Sequence, residues 1–235
     1  MNEYVILTLY KIHNQNNINI MTTANKVLMQ QARESLRGKW GVAIGGYTLY
    51  GVILTIPSVF KRLGSIITLF IGGPIVYGMS KFSLSISRNQ EVHISEMFSG
   101  FRTDLYWRLF KAYFLKMLFV ILWLLLLIVP GVIAALAYSQ TFYILADDPL
   151  ISASDALKKS KKMMDGYKWK LVCLDGRFLG WGILSILTFG IGLLWLIPYV
   201  QVSSAKFYDD LVRVANEDVK VEEKVIVIPE VMPVV

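Results

Sequence analysis

Apolar residues in this chain come in long blocks separated by short polar connectors, with neither helical nor strand alternation across most of the length. A helix crossing a bilayer needs about 20 mostly apolar residues. Six blocks approach that length: residues 40–60, 63–85, 107–129, 131–146, 169–189 and 190–208. The pattern predicts an all-α fold, a polytopic membrane helix bundle with about six transmembrane helices. "VPG" at 129–131 is the expected turn between the third and fourth blocks, and "TFGIG" at 188–192 that between the fifth and sixth.

The blocks repeat in pairs. Trp40, Trp107 and Trp169 each follow a basic or polar stretch and open an odd-numbered block. Each pair turns near Gly or Pro, and its second member runs into polar residues. A unit of roughly 40 residues accommodates two crossings at about 1.5 Å per residue. The bundle is therefore expected to be three helical-hairpin repeats.

The connectors predict short amphipathic interfacial helices. In "LISASDALKKSKKMMDGYKW", Ser152 followed by Asp155 has the spacing of a capping box, and Gly166 suits a helix C-terminus. Ala156, Leu157, Ser160, Met163, Met164 and Tyr167 fall on one face. Lys158, Lys159, Lys161 and Lys162 fall on the other, as candidate contacts to anionic lipid. Residues 1–30 read as an N-terminal cytoplasmic extension, 31–211 as the six-span domain and 212–235 as a mostly disordered cytoplasmic tail. Met21 offers a second start, and the first twenty residues are expected to be dispensable.

Composition fits this picture. Hydrophobic residues make up 55% and charged residues 17%, below the roughly 25% charge of soluble domains. The net charge is +7, which in a soluble protein would suggest nucleic acid. Placement decides otherwise. Twenty of the 24 Lys and Arg lie on the side of the termini and the inter-pair connectors. Lys61 and Arg62 alone fall in an outer turn, with Lys116 and Arg177 inside blocks. That asymmetry places both termini in the cytoplasm and matches the basic residues to anionic inner-leaflet lipid. No nucleic-acid partner is needed; a membrane-protein partner or a second copy of the chain is the other expected association.

One cysteine, Cys173, and two histidines leave no cofactor or metal cluster to expect. No nucleophile, zinc or phosphate-loop motif is present. Asp147 and Asp148 precede a proline and read as a turn and cap. Gly41 with Gly45, and Gly176 with Gly180, have the spacing of close helix packing. Tyr77, Gln140, Gln201, Ser203 and Ser204 read as interhelical hydrogen bonders, or as the lining of a polar cavity.

Several stretches together, "ARESLRGKWG", "GGPIVYGMSKFSL", "EMFSGF", "YILADDPLISASDALKKSKKMMDGYKWKLVCLD" and "FLGWGILSILTFGIGLLWLIPYVQVSSAKFYDDL", resemble the bacterial multi-pass membrane proteins of the domain of unknown function 975 family. The resemblance covers about residues 31–211. It implies a bacterial plasma-membrane protein without an assigned activity. More distantly the pattern is similar to the membrane domain attached to some glycerophosphodiester phosphodiesterases, whose catalytic domain this chain lacks. The family pattern has apolar or small residues where Gly176 and Arg177 stand, so no family role is carried onto Arg177.

Three charges lie inside blocks. Asp175 and Arg177 are six and eight residues past Trp169, and Lys116 is nine past Trp107. They share a depth to within about 5 Å. An unpaired charge at the centre of a span costs about 2.5–3.5 kcal/mol or more. Asp175 is therefore expected to face the bundle interior and pair with Lys116. Arg177 is expected to snorkel to the cytoplasmic interface, with Trp181 as its cation–π neighbour. The expected function is non-catalytic, exercised through membrane partners or lipid. A transporter or channel for a small solute or lipid is the alternative, since internal repeats are common in transporters.

Overall fold

The computed structural model describes residues 22–59 and 61–227, and every regular element among them is helical. In chain order these are α1 (Asn25–Leu36), α2 (Trp40–Val59), α3 (Lys61–Ser87), a 3-10 helix (Ile94–Phe101), α4 (Thr103–Leu126), α5 (Ile128–Ala137), α6 (Thr141–Asp147), α7 (Ala153–Met163), α8 (Lys168–Leu187) and α9 (Leu193–Val227). Three segments are long and apolar enough to cross a membrane: Ile66–Ser87, Asp104–Leu126 and Ile128–Asp147. Trp40–Thr55 is apolar but shorter. A short helix with a buried face precedes a long apolar helix at three places: α1 before α2, the 3-10 helix before α4 and α7 before α8.

Residues 25–208 form one compact unit. Its core gathers Ala32 and Leu36 of α1, Ala43 and Tyr47 of α2, Met79, Phe82 and Ile86 of α3, Met97 of the 3-10 helix and Val202 of α9. Large apolar side chains left uncovered cluster at residues 125–129 and 186–191. Leu125 is 85% exposed, Ile128 74% and Phe189 100%. The second unit joins residues 22–24 to 209–227. There the buried Asp210 carboxylate accepts from Thr23 N–H and Oγ1, and from Arg213, which also reaches Glu217.

Glycine packing differs from the expected GxxxG contacts. A methyl group added at Gly41, Gly45, Gly176 or Gly180 would meet nothing within 4 Å. The close approaches lie on α3 instead. A methyl at Gly73 would sit 2.5 Å from the Leu109 carbonyl oxygen, and one at Gly78 2.5 Å from the Met97 carbonyl carbon. α3 is the element against which α4 and the 3-10 helix lie, and these glycines let their backbones touch it.

Local chemistry shifts several boundaries. The second turn falls at Leu127, two residues before "VPG", with Pro130 in the first turn of α5 where its missing N–H costs nothing. The fourth block is two helices, broken at Tyr138–Gln140. The tail also departs from expectation: α9 continues to Val227, so residues 212–227 are helical. No breaker occurs before Pro229, and Arg213 with Glu217 forms an i,i+4 pair at 3.1 Å. The third turn lies at Thr188–Gly192, with Phe189 and Gly190 at positive φ. The segment read as dispensable, residues 1–20, lies outside the described residues.

Candidate functional site

The end of α3 is the polar hub of the larger unit. Tyr47 and Ser83 share a hydrogen bond at 2.8 Å. The Ser87 carbonyl accepts from Ser35 Oγ and from Lys206 Nζ. Arg88 donates to Asp147 Oδ1 at 2.6 Å, and Tyr208 O–H donates to Asp147 Oδ2 at 3.1 Å. The carboxylate read as a turn and cap thus ties α3, α6 and α9 together, while Asp148 alone has the local role, accepting from Leu150 N–H. Long-range partners of this kind leave no mark on the residues beside them in sequence.

The polar residues of the returning helices behave more simply than expected. Ser203 and Ser204 Oγ donate to the carbonyls of Tyr199 and Val200 on their own helix. Among the described residues Gln201 contributes its carbonyl, which accepts from Tyr143 O–H at 3.4 Å. Tyr77 is buried. Gln140, at the break between α5 and α6, is buried too, and its Nε2 donates to Ser139 Oγ. Its Oε1 has no partner among the described residues.

The structure does not bring Asp175 and Lys116 together. Lys116 is half-buried, with Nζ 5.6 Å from the centre of the Phe142 ring. Asp175 is exposed on α8, whose inward face carries Leu171, Leu174 and Phe178. The reason is packing: α8 lies against α1 and α5, so equal depth from the opening Trp residues does not make α4 and α8 neighbours. Arg177 is exposed, as expected of a snorkelling residue, and makes no cation–π contact with Trp181.

The lysine helix is placed more closely to its reading. Ser152 caps α7, its Oγ accepting from Asp155 N–H at 3.2 Å, and Gly166 takes positive φ after the helix ends. The Ser152 hydroxyl holds the Asp155 carboxyl below its usual range. Lys158, Lys159, Lys161 and Lys162 are all exposed. The apolar face, however, is covered by protein: Ala156, Leu157, Ser160 and Met164 are buried, and Ser160 Oγ donates to the Ala137 carbonyl at 2.8 Å. Any meeting of α7 with lipid is left to its lysines.

A groove that sequence reasoning missed lies beside α1, α8 and α9. Its volume is about 600 Å³, and Arg33, Trp40, Trp181, Trp195 and Tyr199 line it. The tryptophans come from three distant segments, so only the fold reveals the cluster. A hollow of about 440 Å³ shares Arg33 and Trp40 with it and adds Glu34 and Arg37.

The model of a family described as "Protein of unknown function (DUF975)" matches residues 21–135 and 117–215. The chain belongs to the DUF975 family. The match takes in the polar hub, the groove and α7, so all three lie within the part that makes this chain a DUF975 member. No curated protein and no solved structure matches it. Among the described residues no cluster of His, Cys, Asp and Glu could hold a metal ion.

Proposed function

We propose that this DUF975 member is a non-catalytic multi-pass protein of the bacterial plasma membrane that acts through lipid or membrane-protein partners. The carrying observation is the band of uncovered apolar side chains from Leu125 to Val129 and around Phe189. Contiguous apolar surface of this kind marks contact with hydrocarbon or with another protein. The charge asymmetry supports entry of all three pairs from the cytoplasmic face with both termini inside, and six crossings are the full form of this topology. The polar hub supports a non-catalytic role, because its Asp147 carboxylate and its hydroxyls are engaged in holding helices to one another.

A transporter or channel is the second reading, and one observation favours it. The break at Tyr138–Gln140 interrupts an apolar helical stretch beside the buried Gln140 Oε1, which has no partner among the described residues. Interrupted helices form the binding sites of many transporters. Proteoliposomes holding the full chain separate the two readings. Lipid binding without passage of small solutes supports the first; solute flux abolished by Gln140→Leu supports the second and overturns the first.

A further inference from the structure

The groove beside α1, α8 and α9 has chemistry of one sign. Ser185 and Thr188 line it, yet their hydroxyls donate to the Trp181 and Ser185 carbonyls of their own helix. The polar groups left over are the Arg33 guanidinium, the indole N–H groups of Trp40, Trp181 and Trp195, and the Tyr199 hydroxyl. None of these has a hydrogen-bond partner among the described residues, and Tyr199 alone can accept as well as donate. Arg37 lies one turn from Arg33 in the adjoining hollow. Neither arginine is ion-paired among the described residues, whereas the Glu34 carboxylate beside them already accepts from Gln30. The remaining lining, Met29, Leu184 and Leu196 among it, is apolar. A volume of about 600 Å³ lies within the range of small-molecule sites, roughly 300–1,000 Å³.

Two arginines beside a mostly apolar lining fit an amphiphile whose head is anionic. We propose that the groove binds one anionic glycerophospholipid of the inner leaflet. Its phosphate is held by Arg33 and Arg37, and an acyl chain lies along Trp181, Leu184 and Trp195. Arg33 and Arg37 precede the first apolar helix, on the basic side of the charge asymmetry, which assigns the lipid head to the inner leaflet. This site is separate from the lysine face of α7. The proposal rests on the membrane reading and deepens its lipid branch.

The test uses the full chain in neutral detergent, with tryptophan fluorescence quenched by phospholipid brominated on its acyl chains. Phosphatidylglycerol is compared with phosphatidylcholine carrying the same chains. Phosphatidylglycerol should quench at the lower mole fraction. Arg33→Gln with Arg37→Gln should remove the difference, at about fivefold per arginine, the shift of one cation near an anionic surface. Trp181→Phe with Trp195→Phe should remove most of the selective quenching. Replacement of Lys158, Lys159, Lys161 and Lys162 by Gln should leave it in place. Equal quenching of the unsubstituted chain by the two lipids overturns the assignment without any variant. So does selectivity that survives loss of both arginines, quenching selectivity undiminished by loss of Trp181 and Trp195, or selectivity that disappears with the α7 lysines. Carbonate extraction of cell membranes is run alongside. A chain that stays with the membrane but shows no lipid preference refutes the groove alone, and a chain released by carbonate refutes the membrane reading itself.

Discussion

Replacing Gly78 with Ala presses on the closest approach found at any described glycine. The added methyl would meet the backbone of Met97, lying 2.5 Å from its carbonyl carbon and closer still to its oxygen. A backbone atom cannot rotate away as a side chain could. Met97 is itself buried, and Gly100 of the same 3-10 helix lies against the Pro74 backbone, so the helix is held at a second point. Overpacking of this kind costs about 1–3 kcal/mol, occasionally more. Ala in place of Gly returns up to about 1 kcal/mol of helix propensity, leaving a net loss of up to about 2 kcal/mol against the overpacking cost. Gly180→Ala is the matched control: its methyl enters open space, so only the propensity gain of up to about 1 kcal/mol remains. The propensity gain is common to both, so the two variants should differ by the overpacking cost, about 1–3 kcal/mol, with Gly78→Ala the less stable. Reversible unfolding in mixed micelles, followed by circular dichroism as the denaturing detergent fraction rises, measures the gap. Equal stability of the two would refute the close approach of α3 to the 3-10 helix. A destabilised Gly180→Ala would restore the GxxxG reading of α8.

Asp147→Asn should destabilise the larger unit by about 1 kcal/mol, a modest figure because Asp147 and Arg88 are each about one-third exposed. A cycle with Arg88→Gln should show coupling of at least about 0.5 kcal/mol, and strict additivity would mean that the two do not act as a pair. Asp155 predicts a pH effect. Its folded-state pKa is depressed by the Ser152 hydroxyl, so its contribution is present above the ordinary carboxylate pKa near 3.8 and is lost as pH falls through the lower folded value. Amide exchange in the first turn of α7 should accelerate below that point in the parent but not in Asp155→Asn. Identical profiles would remove the capping box.

How far the sequence speaks depends on the range of each interaction. Local signals were readable. Ser152, Asp155 and Gly166 bound α7 because capping and positive φ are settled within a few residues. The all-helical character and the long apolar helices were readable because composition alone marks apolar blocks. The break at Tyr138–Gln140 carries neither Gly nor Pro, so no punctuation announced it. The role of Asp147 depends on residues 59 and 61 positions away. GxxxG spacing misled because spacing says nothing of what stands opposite, whereas Gly78 faces a backbone. The Asp175–Lys116 pairing assumed that helices of one repeat position adjoin, and the packing of α8 on α1 and α5 breaks that assumption. Amphipathicity of α7 was correct as a pattern, but the partner of its apolar face is protein.

Thiol labelling of intact cells tests the central claim, entry of every helix pair from a cytoplasmic face that holds both termini. After Cys173 is replaced, single cysteines at Arg62 and at Lys162 are exposed to a membrane-impermeant maleimide. The account predicts labelling at 62 from outside and at 162 only after permeabilisation. Labelling of both in intact cells, or of 162 alone, would contradict it.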